Sequence, residues 1–390
     1  MMLKRVAVIG AGAAGLCAAK HVLSRLNRFA PPVRVGTYAN GRPIHSSMYR
    51  DLRTNLPKEV MMFPDFPFDS RLNSFLPHHE VQRYLESYCQ SHAIRPHIRF
   101  NTAVDSVRPV EGEEKTTTWQ MTSSDSSGRQ KTETFDAVFA KCHSSLSLSP
   151  SLSLSLSIGE VLHSHSYRYA EPYAGQTVVV LGAKASGLDI SIELVKVGAK
   201  VTLSHRLPRI TYPLPAGIQQ SSPVVAVEDD GRLRFQDGSV SAADLGLEIQ
   251  DHVMTPLYHF LTPPAFPSLF FIGICKMVCP FPNFNVQVQF CLAVLDGSVA
   301  LPSRGQMEEE VRRELQEKLA RGVEHRHLHM MQLEQWDYCD ALARLGGFTP
   351  LPPVIRSLYE EVWRQRGVHP QKYRDLNYQL VSDARWEALN

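Results

Sequence analysis

Glycines 10, 12 and 15, in VAVIGAGAAGLCAAKHVLSRL, have the spacing that lets a backbone close around a pyrophosphate. Gly10 permits a tight turn, Gly12 lets the main chain approach the phosphates, and Gly15 lets the next helix press against the strand. Ala13 and Ala14 complete the expected binding turn. The first N–H groups of a helix have no intrahelical partner, and the helix dipole adds positive potential there. The chemistry on offer is anion binding.

A second turn, Gly182-x-Lys184-x-Ser186-Gly187, lies in TVVVLGAKASGLDISIELVKVGAKVTLSHR. Lys184 replaces the middle glycine. Its ammonium can meet a phosphate as a point charge or sit in solvent as an ordinary surface lysine. Asp189, on the helix that follows, and Ser204 and Arg206, at the end of the next strand, belong to the same expected site. NAD sites usually place an acid at that strand end for the ribose 2′-OH, whereas Arg accommodates the 2′-phosphate of NADP. No acid stands there, so the second nucleotide is expected to be NADP(H).

Each turn needs a strand before it and a helix after it. Residues 6–9 and 178–181 are short apolar strands, and 200–203 reads as a further strand. Leu16, Ala19, Val22, Leu23 and Leu26 line one helix face; Ile190, Leu194 and Val197 line the other. The fold class expected is α/β, with two dinucleotide-binding (Rossmann-like) domains. Two well-separated turns suggest a flavin and a nicotinamide held face to face.

The 390 residues are 43% hydrophobic and 21% charged, enough to bury a substantial core. A formal charge of +2 argues against nucleic acid as a partner, which requires many Lys/Arg contacts on one face. The seven cysteines include no CxxC pair, so neither a zinc site nor a dithiol centre is signalled and no metal is expected. They read as reduced, mostly buried thiols of a cytoplasmic protein. The N-terminus imitates a secretory signal but fits a strand–turn–helix better. No run of eighteen apolar residues suggests a transmembrane segment.

Between the turns, GEVLHSHSYR (159–168) resembles the FxGxxxHSxxY fingerprint of flavin-containing monooxygenases. Gly159, His163, Ser164 and Tyr167 match, while Ser157 stands where that family has Phe. HSSMYRDLRTNLPKEVMMFPDFPF (45–68), with its Thr54-Asn55 pair, is similar to the stretch behind the family's first turn. FPSLFFIG (266–273) resembles its last flavin-binding strand. The resemblance implies FAD and NADP as cofactors, and O2 and a small amine or sulfide as substrates. It implies that NADPH reduces FAD, O2 adds at flavin C4a, and the hydroperoxide oxygenates a soft nitrogen or sulfur nucleophile. It places Thr54 and Asn55 beside the flavin and gives Asn55 the catalytic role, as an amide that hydrogen-bonds the peroxide and retained NADP+. From its own chemistry alone Asn55 reads first as a turn former before Leu-Pro. His163 reads as structural. A homodimer is compatible with the resemblance.

Three departures fall where nucleotides are contacted. No Asp or Glu lies between Gly15 and Asp51 to meet the FAD ribose. FQDGSVSAAD (235–244) runs directly into LGLEIQDH, without the ATGY-like strand of the family. SSLSLSPSLSLSLS (144–157) occupies the inter-domain crossover, and its two-residue composition reads as a linker rather than a strand. The alternative to an active monooxygenase is therefore a catalytically impaired splice variant or degenerate copy that binds nucleotide weakly. The expected division is an FAD domain over 1–157 and 262–390, with an NADP domain at 158–261 inserted. A charged surface helix is expected over 303–322, with Val311, Leu315 and Leu319 on one stripe, and the aromatic-rich tail is expected to cover the FAD domain.

Arg206→Ala is expected to weaken NADPH binding by about 1.5–3 kcal/mol, the scale of lost charged hydrogen bonds, and to leave NADH binding nearly unchanged. Parallel titrations with the two nucleotides check it; equal losses would remove the assignment.

Overall fold

The structure is a computed structural model. It describes residues 5–26, 29–30, 49–111, 117–141, 167–183, 185–205, 210, 214–221, 225–227, 233–235, 248–250 and 253–389. Lys184, Arg206, Gly159, His163, Ser164, Cys142 and the 144–157 tract lie outside the described residues.

The first nucleotide turn is built on a four-stranded sheet in the order Leu269–Ile272, Ala137–Lys141, Val6–Ile9, Phe29–Ala30. All its pairings are parallel. Among the described residues Val6–Ile9 pairs on that side with the two-residue strand Phe29–Ala30; the apolar residues 33–35 lie outside the described residues.

Successive strand residues face opposite sides, and both faces are covered. Val6, Val8, Phe139 and Phe270 pack with Leu16, Cys17 and Val22 of the Ala13–Leu26 helix and with Val286, Phe290 and Cys291 of the Pro280–Leu295 helix. Ala7, Val138 and Leu269 face the other way, against Trp119, Met121 and Phe135. Those three residues belong to an antiparallel meander of Thr102–Glu111, Thr117–Asp125 and Gln130–Phe135.

A second parallel sheet carries the second turn, in the order Thr177–Leu181, Lys200–Ser204, Ile218–Ser221. The Ala185–Lys196 helix buries Ile190 and Leu194 against Val201, as the stripe predicts. Tyr49 and Tyr167 join that core, bringing the segment ahead of Thr54–Asn55 and the segment ahead of the second turn into one apolar cluster.

The C-terminal third is helical, with Arg304–Ala320, Glu334–Gly346 and Pro353–Val368 followed by a hairpin of Asn377–Ser382 and Arg385–Leu389. Trp336, Tyr359, Tyr373 and Tyr378 are buried with Val60 and Phe75 in one apolar cluster. The Arg304–Ala320 helix begins at a capping box made by Ser303 and Gln306. Its buried stripe is Met307, Val311 and Lys318, while Leu319 is exposed. Steps of four residues drift around a helix of 3.6 per turn, which carries Leu319 off the face. Lys318 lays its stem on the apolar side and places its ammonium 4.7 Å from the Phe260 ring centroid.

Gly15 tests this packing. A Cβ there would lie 1.7 Å from the Gly10 carbonyl oxygen, which is backbone and cannot rotate away. Gly15→Ala is expected to destabilise by about 1–3 kcal/mol, the cost of overpacking a tight contact. Gly305→Ala, in a helix and with nothing within 4 Å, is expected to stabilise by about 0.5–1 kcal/mol. Urea unfolding midpoints of the two variants check the contrast.

Candidate dinucleotide and oxygenation site

Both glycine turns lie at the carboxyl ends of parallel strands, the edge at which α/β sheets bind ligands. Gly10 follows Ile9 with φ +103°, and Gly182 follows Leu181 with φ +101°, a conformation L side chains avoid. The third glycines repeat one geometry. A Cβ on Gly15 would meet Gly10 O at 1.7 Å, and one on Gly187 would meet Gly182 O at the same distance. Each helix is thereby pressed directly onto the turn, and neither carries an acid in its first turn. Leu16 makes the N–H bond to Gly12 O at 2.9 Å, so the amides of Ala13, Ala14 and Gly15 precede the first intrahelical bond. Ala14 turns its methyl into the core, which leaves its N–H as the group it can offer. These cradles fit a pyrophosphate at each turn.

At the second turn Gly182 donates its N–H to Ser204 O at 2.7 Å, fixing the turn beside the end of the next strand. Ser186 is exposed at the helix start, whereas Ser204 is buried. Asp189 is already engaged. Its carboxylate receives three hydrogen bonds of 2.9–3.2 Å from the Arg374 guanidinium.

The strand Leu269–Ile272 ends at Gly273, one strand away from Gly10 in the same sheet edge. Gly273 has φ +83°, and a Cβ there would strike the Phe284 ring at 2.8 Å. Its N–H donates to Gln287 Oε1 at 3.0 Å. Gln287 is wholly buried and donates in turn to the Tyr338 hydroxyl at 3.0 Å, which donates to His259 O at 2.9 Å. A buried amide with its partners made holds the turn in one geometry.

Thr54 and Asn55 lie in the loop just ahead of the short Lys58–Met61 helix. Thr54 pairs with Leu76 through its N–H at 2.8 Å and its Oγ1 at 3.0 Å, and its carbonyl accepts from Arg374 Nε at 3.0 Å. Pro57 then opens the short Lys58–Met61 helix, which buries Val60 and Met61. Asn55 is half-buried, and its amide makes no hydrogen bond among the described residues. Its neighbours are spent on structure while its two N–H donors and one acceptor are not. The structure therefore brings Thr54–Asn55 and the helix of the second turn together through Arg374, a residue that sequence spacing did not single out.

Tyr167, the last residue of the fingerprint, donates to Glu193 Oε2 at 3.0 Å and packs edge-on to Tyr49 with ring centroids 5.5 Å apart. Burial raises the Glu193 carboxyl pKa, and the hydrogen bond from Tyr167 only partly opposes it. The six described cysteines are all buried and free. Among the described residues no cluster of His, Cys, Asp or Glu could hold a metal, and no helix is long and apolar enough to cross a membrane.

Two glycine cradles on separate parallel sheets define a dinucleotide-binding protein of the two-Rossmann class. Comparison with known proteins agrees. Residues 3–210 match the family described as flavin-binding monooxygenase-like. Flavin-containing monooxygenase FMO GS-OX4 of Arabidopsis thaliana is 33% identical over 428 residues, covering 95% of this chain and 91% of that one. The structure of S-allyl-L-cysteine S-oxygenase from Allium sativum superposes with a TM-score of 0.78 at 29% identity, covering 95% of both chains. Cyclohexanone monooxygenase from Rhodococcus sp. Phi1 bound to NADP+ shares the fold, with a TM-score of 0.60 at 14% identity, over 88% of this chain and 97% of that one. The chain belongs to the flavin-containing monooxygenase family, and it is an enzyme of that oxidoreductase class whose cofactors are FAD and NADP. The GS-OX4 match is longer than the 390-residue chain itself, so internal stretches of that relative have no counterpart here.

A carboxyl with a raised folded-state pKa contributes stability that is complete below its unfolded pKa and is lost as pH rises through the folded one. Glu193→Gln, which keeps an acceptor for Tyr167, should therefore be more stable than the parent at neutral pH. The gain should be at most about 1 kcal/mol, because the group is partly exposed, and should vanish below the carboxylate range. Melting temperatures at the two pH values check it.

Proposed function

We propose that this protein is an NADPH- and FAD-dependent monooxygenase that oxygenates soft nucleophiles, with small thioethers as the main class and amines as the second. The observation that carries the thioether reading is the likeness to the S-oxygenase of Allium sativum along nearly the whole of both chains. The net reaction joins one oxygen atom of O2 to the sulfur lone pair and reduces the other to water with the hydride of NADPH and a proton. The cofactors supply the electron pair and the activation of O2.

The chain's own residues bind, orient and shield. Gly10, Gly12 and the amides of Ala13, Ala14 and Gly15 hold the FAD pyrophosphate. Gly182, Ser186 and Gly187, with Lys184, Ser204 and Arg206, hold NADP. Asn55 offers hydrogen bonds at the reacting face, while Thr54 fixes its place in the chain. A sulfur nucleophile needs no general base, which suits a site whose titratable groups are tied into ion pairs and hydrogen bonds.

A second reading, an impaired member that binds FAD weakly, is favoured by one observation. No acid between Gly15 and Asp51 can receive the ribose hydroxyls. Losing such a charged acceptor costs about 1.5–3 kcal/mol.

The deciding experiment is to purify the protein, record its flavin absorbance, and supply FAD, NADPH, O2 and S-allyl-L-cysteine, with trimethylamine in parallel. Sulfoxide formed in proportion to NADPH used establishes the first reading; protein purified without flavin that takes up FAD only at high concentration, and then makes no sulfoxide or N-oxide, establishes the second. In an active preparation Asn55→Leu should keep NADPH oxidation within about twofold. Its product per NADPH should fall by about tenfold or more, the scale of a lost positioned donor, with H2O2 making up the difference. Unchanged coupling would take the role away from Asn55.

A further inference from the structure

Arg374 lies in the aromatic tail, remote in sequence from both nucleotide turns, yet its side chain touches the helix of the second turn and the carbonyl just before Asn55. Nε donates to Thr54 O at 3.0 Å, the carbonyl immediately before Asn55. The terminal nitrogens donate to Asp189 Oδ1 at 3.1 and 3.2 Å and to Oδ2 at 2.9 Å. Asp189 stands two residues after Gly187 on the helix whose N-terminus forms the second cradle. Both side chains are largely withdrawn from solvent, at 19% and 16% exposure, so water competes weakly for their hydrogen bonds.

The grip is reciprocal. Arg53 donates through one terminal nitrogen to Phe75 O and to the backbone carbonyl of Arg374 itself, both at 3.1 Å. Tyr373 is buried in the cluster that holds Val60 and Phe75. The guanidinium carbon lies 5.0 Å from the Tyr373 ring centroid. Burial lowers the Arg374 pKa, but the Asp189 charge more than offsets it and keeps the guanidinium charged. Tyr49 is buried, and the negative charge of Asp189 nearby helps hold its hydroxyl protonated.

We infer that Arg374 is a positioning residue that latches the Thr54–Asn55 segment to the helix of the second turn, and so sets how the NADP side meets the reacting face of the flavin side. The inference rests on the monooxygenase reading for its consequence in turnover, although the latch itself does not. A guanidinium is planar with its donors in a fixed fork, so the Thr54 and Asp189 contacts cannot be adjusted independently. A displacement of the helix is passed to the residue before Asn55. Lysine, a single compact charge, can keep one of these contacts but cannot reproduce the fork.

The test begins without any cofactor, by amide hydrogen exchange on the parent protein, Arg374→Met, Arg374→Lys and Asp189→Asn. Arg364→Met is the control, since Arg364 is an exposed residue paired with Glu361 one turn earlier on its own helix, Pro353–Val368. In Arg374→Met, exchange should rise about tenfold or more, as for a local opening, at residues 53–56 and in Ala185–Lys196. It should stay at the parent level in the Val6–Ile9 and Ala137–Lys141 strands. Arg374→Lys should show a smaller rise, and Arg364→Met none. Where Arg374→Met does not fold, Asp189→Asn is judged by the same pattern. Exchange unchanged at 53–56 in every folded variant, or raised equally throughout the chain, overturns the latch.

The second arm measures product and H2O2 per NADPH in FAD-loaded protein with S-allyl-L-cysteine. Product per NADPH should fall about tenfold in Arg374→Met, with Arg374→Lys between it and the parent and with the KM for the sulfide retained. Full coupling in Arg374→Met overturns the positioning role. A parent protein that makes no sulfoxide defeats the proposed function instead, while the exchange pattern still decides whether the latch exists.

Discussion

Everything in this molecule depends on how closely a helix can approach the turn that precedes it. At both glycine turns the first helical residues lie against a backbone carbonyl, with room for a hydrogen where any other residue would put carbon. That approach aims unpaired N–H groups and the positive end of a dipole at the carboxyl edge of a parallel sheet. The same contact joins the helix to its strand, so stability and anion binding draw on one geometry.

Around that contact the chain uses two kinds of glue. Apolar packing builds each nucleotide unit separately: the four-stranded sheet is enclosed by helices and a meander, and the second sheet has its own cluster under Tyr49 and Tyr167. Buried polar contacts then fix the pieces relative to one another. His21 meets Asn285 at 2.7 Å between the two helices under the first sheet, and Gln287 holds the turn at Gly273. Apolar surfaces tolerate sliding, whereas a buried hydrogen bond that slips leaves its partners unsatisfied. The polar set is therefore where orientation is specified.

This division explains the state of the candidate oxygenation residue. Thr54 has its N–H, carbonyl and hydroxyl oxygen committed to Leu76 and Arg374. Asn55 follows with an amide that no described residue claims. A rigid neighbour carrying an unengaged donor is what a site requires when the cofactor carries the hard chemistry and the protein supplies orientation. The contrast between the two residues cannot be read from their types, since both are small polar residues in a loop.

The sequence by itself determined the local matters: both strand–turn–helix units, the glycine at each close approach, the helix stripes of the first and second units, and the family. These follow from side-chain size and from periodicities of two and 3.6, which act over a few residues. The stripe expected on the later helix, with Val311, Leu315 and Leu319 in line, holds at Val311 and fails at Leu319, because steps of four drift off a helical face. The partner strand at Phe29–Ala30 was too short to carry a period. Only the tertiary structure decided the meander under the sheet, the Gln287 hold on Gly273, and the meeting of Arg374 with Asp189 and Thr54. Those contacts join residues from 14 to more than 300 positions apart, and no spacing rule reaches that far, because the chain between them is free to take many paths until the cores have closed.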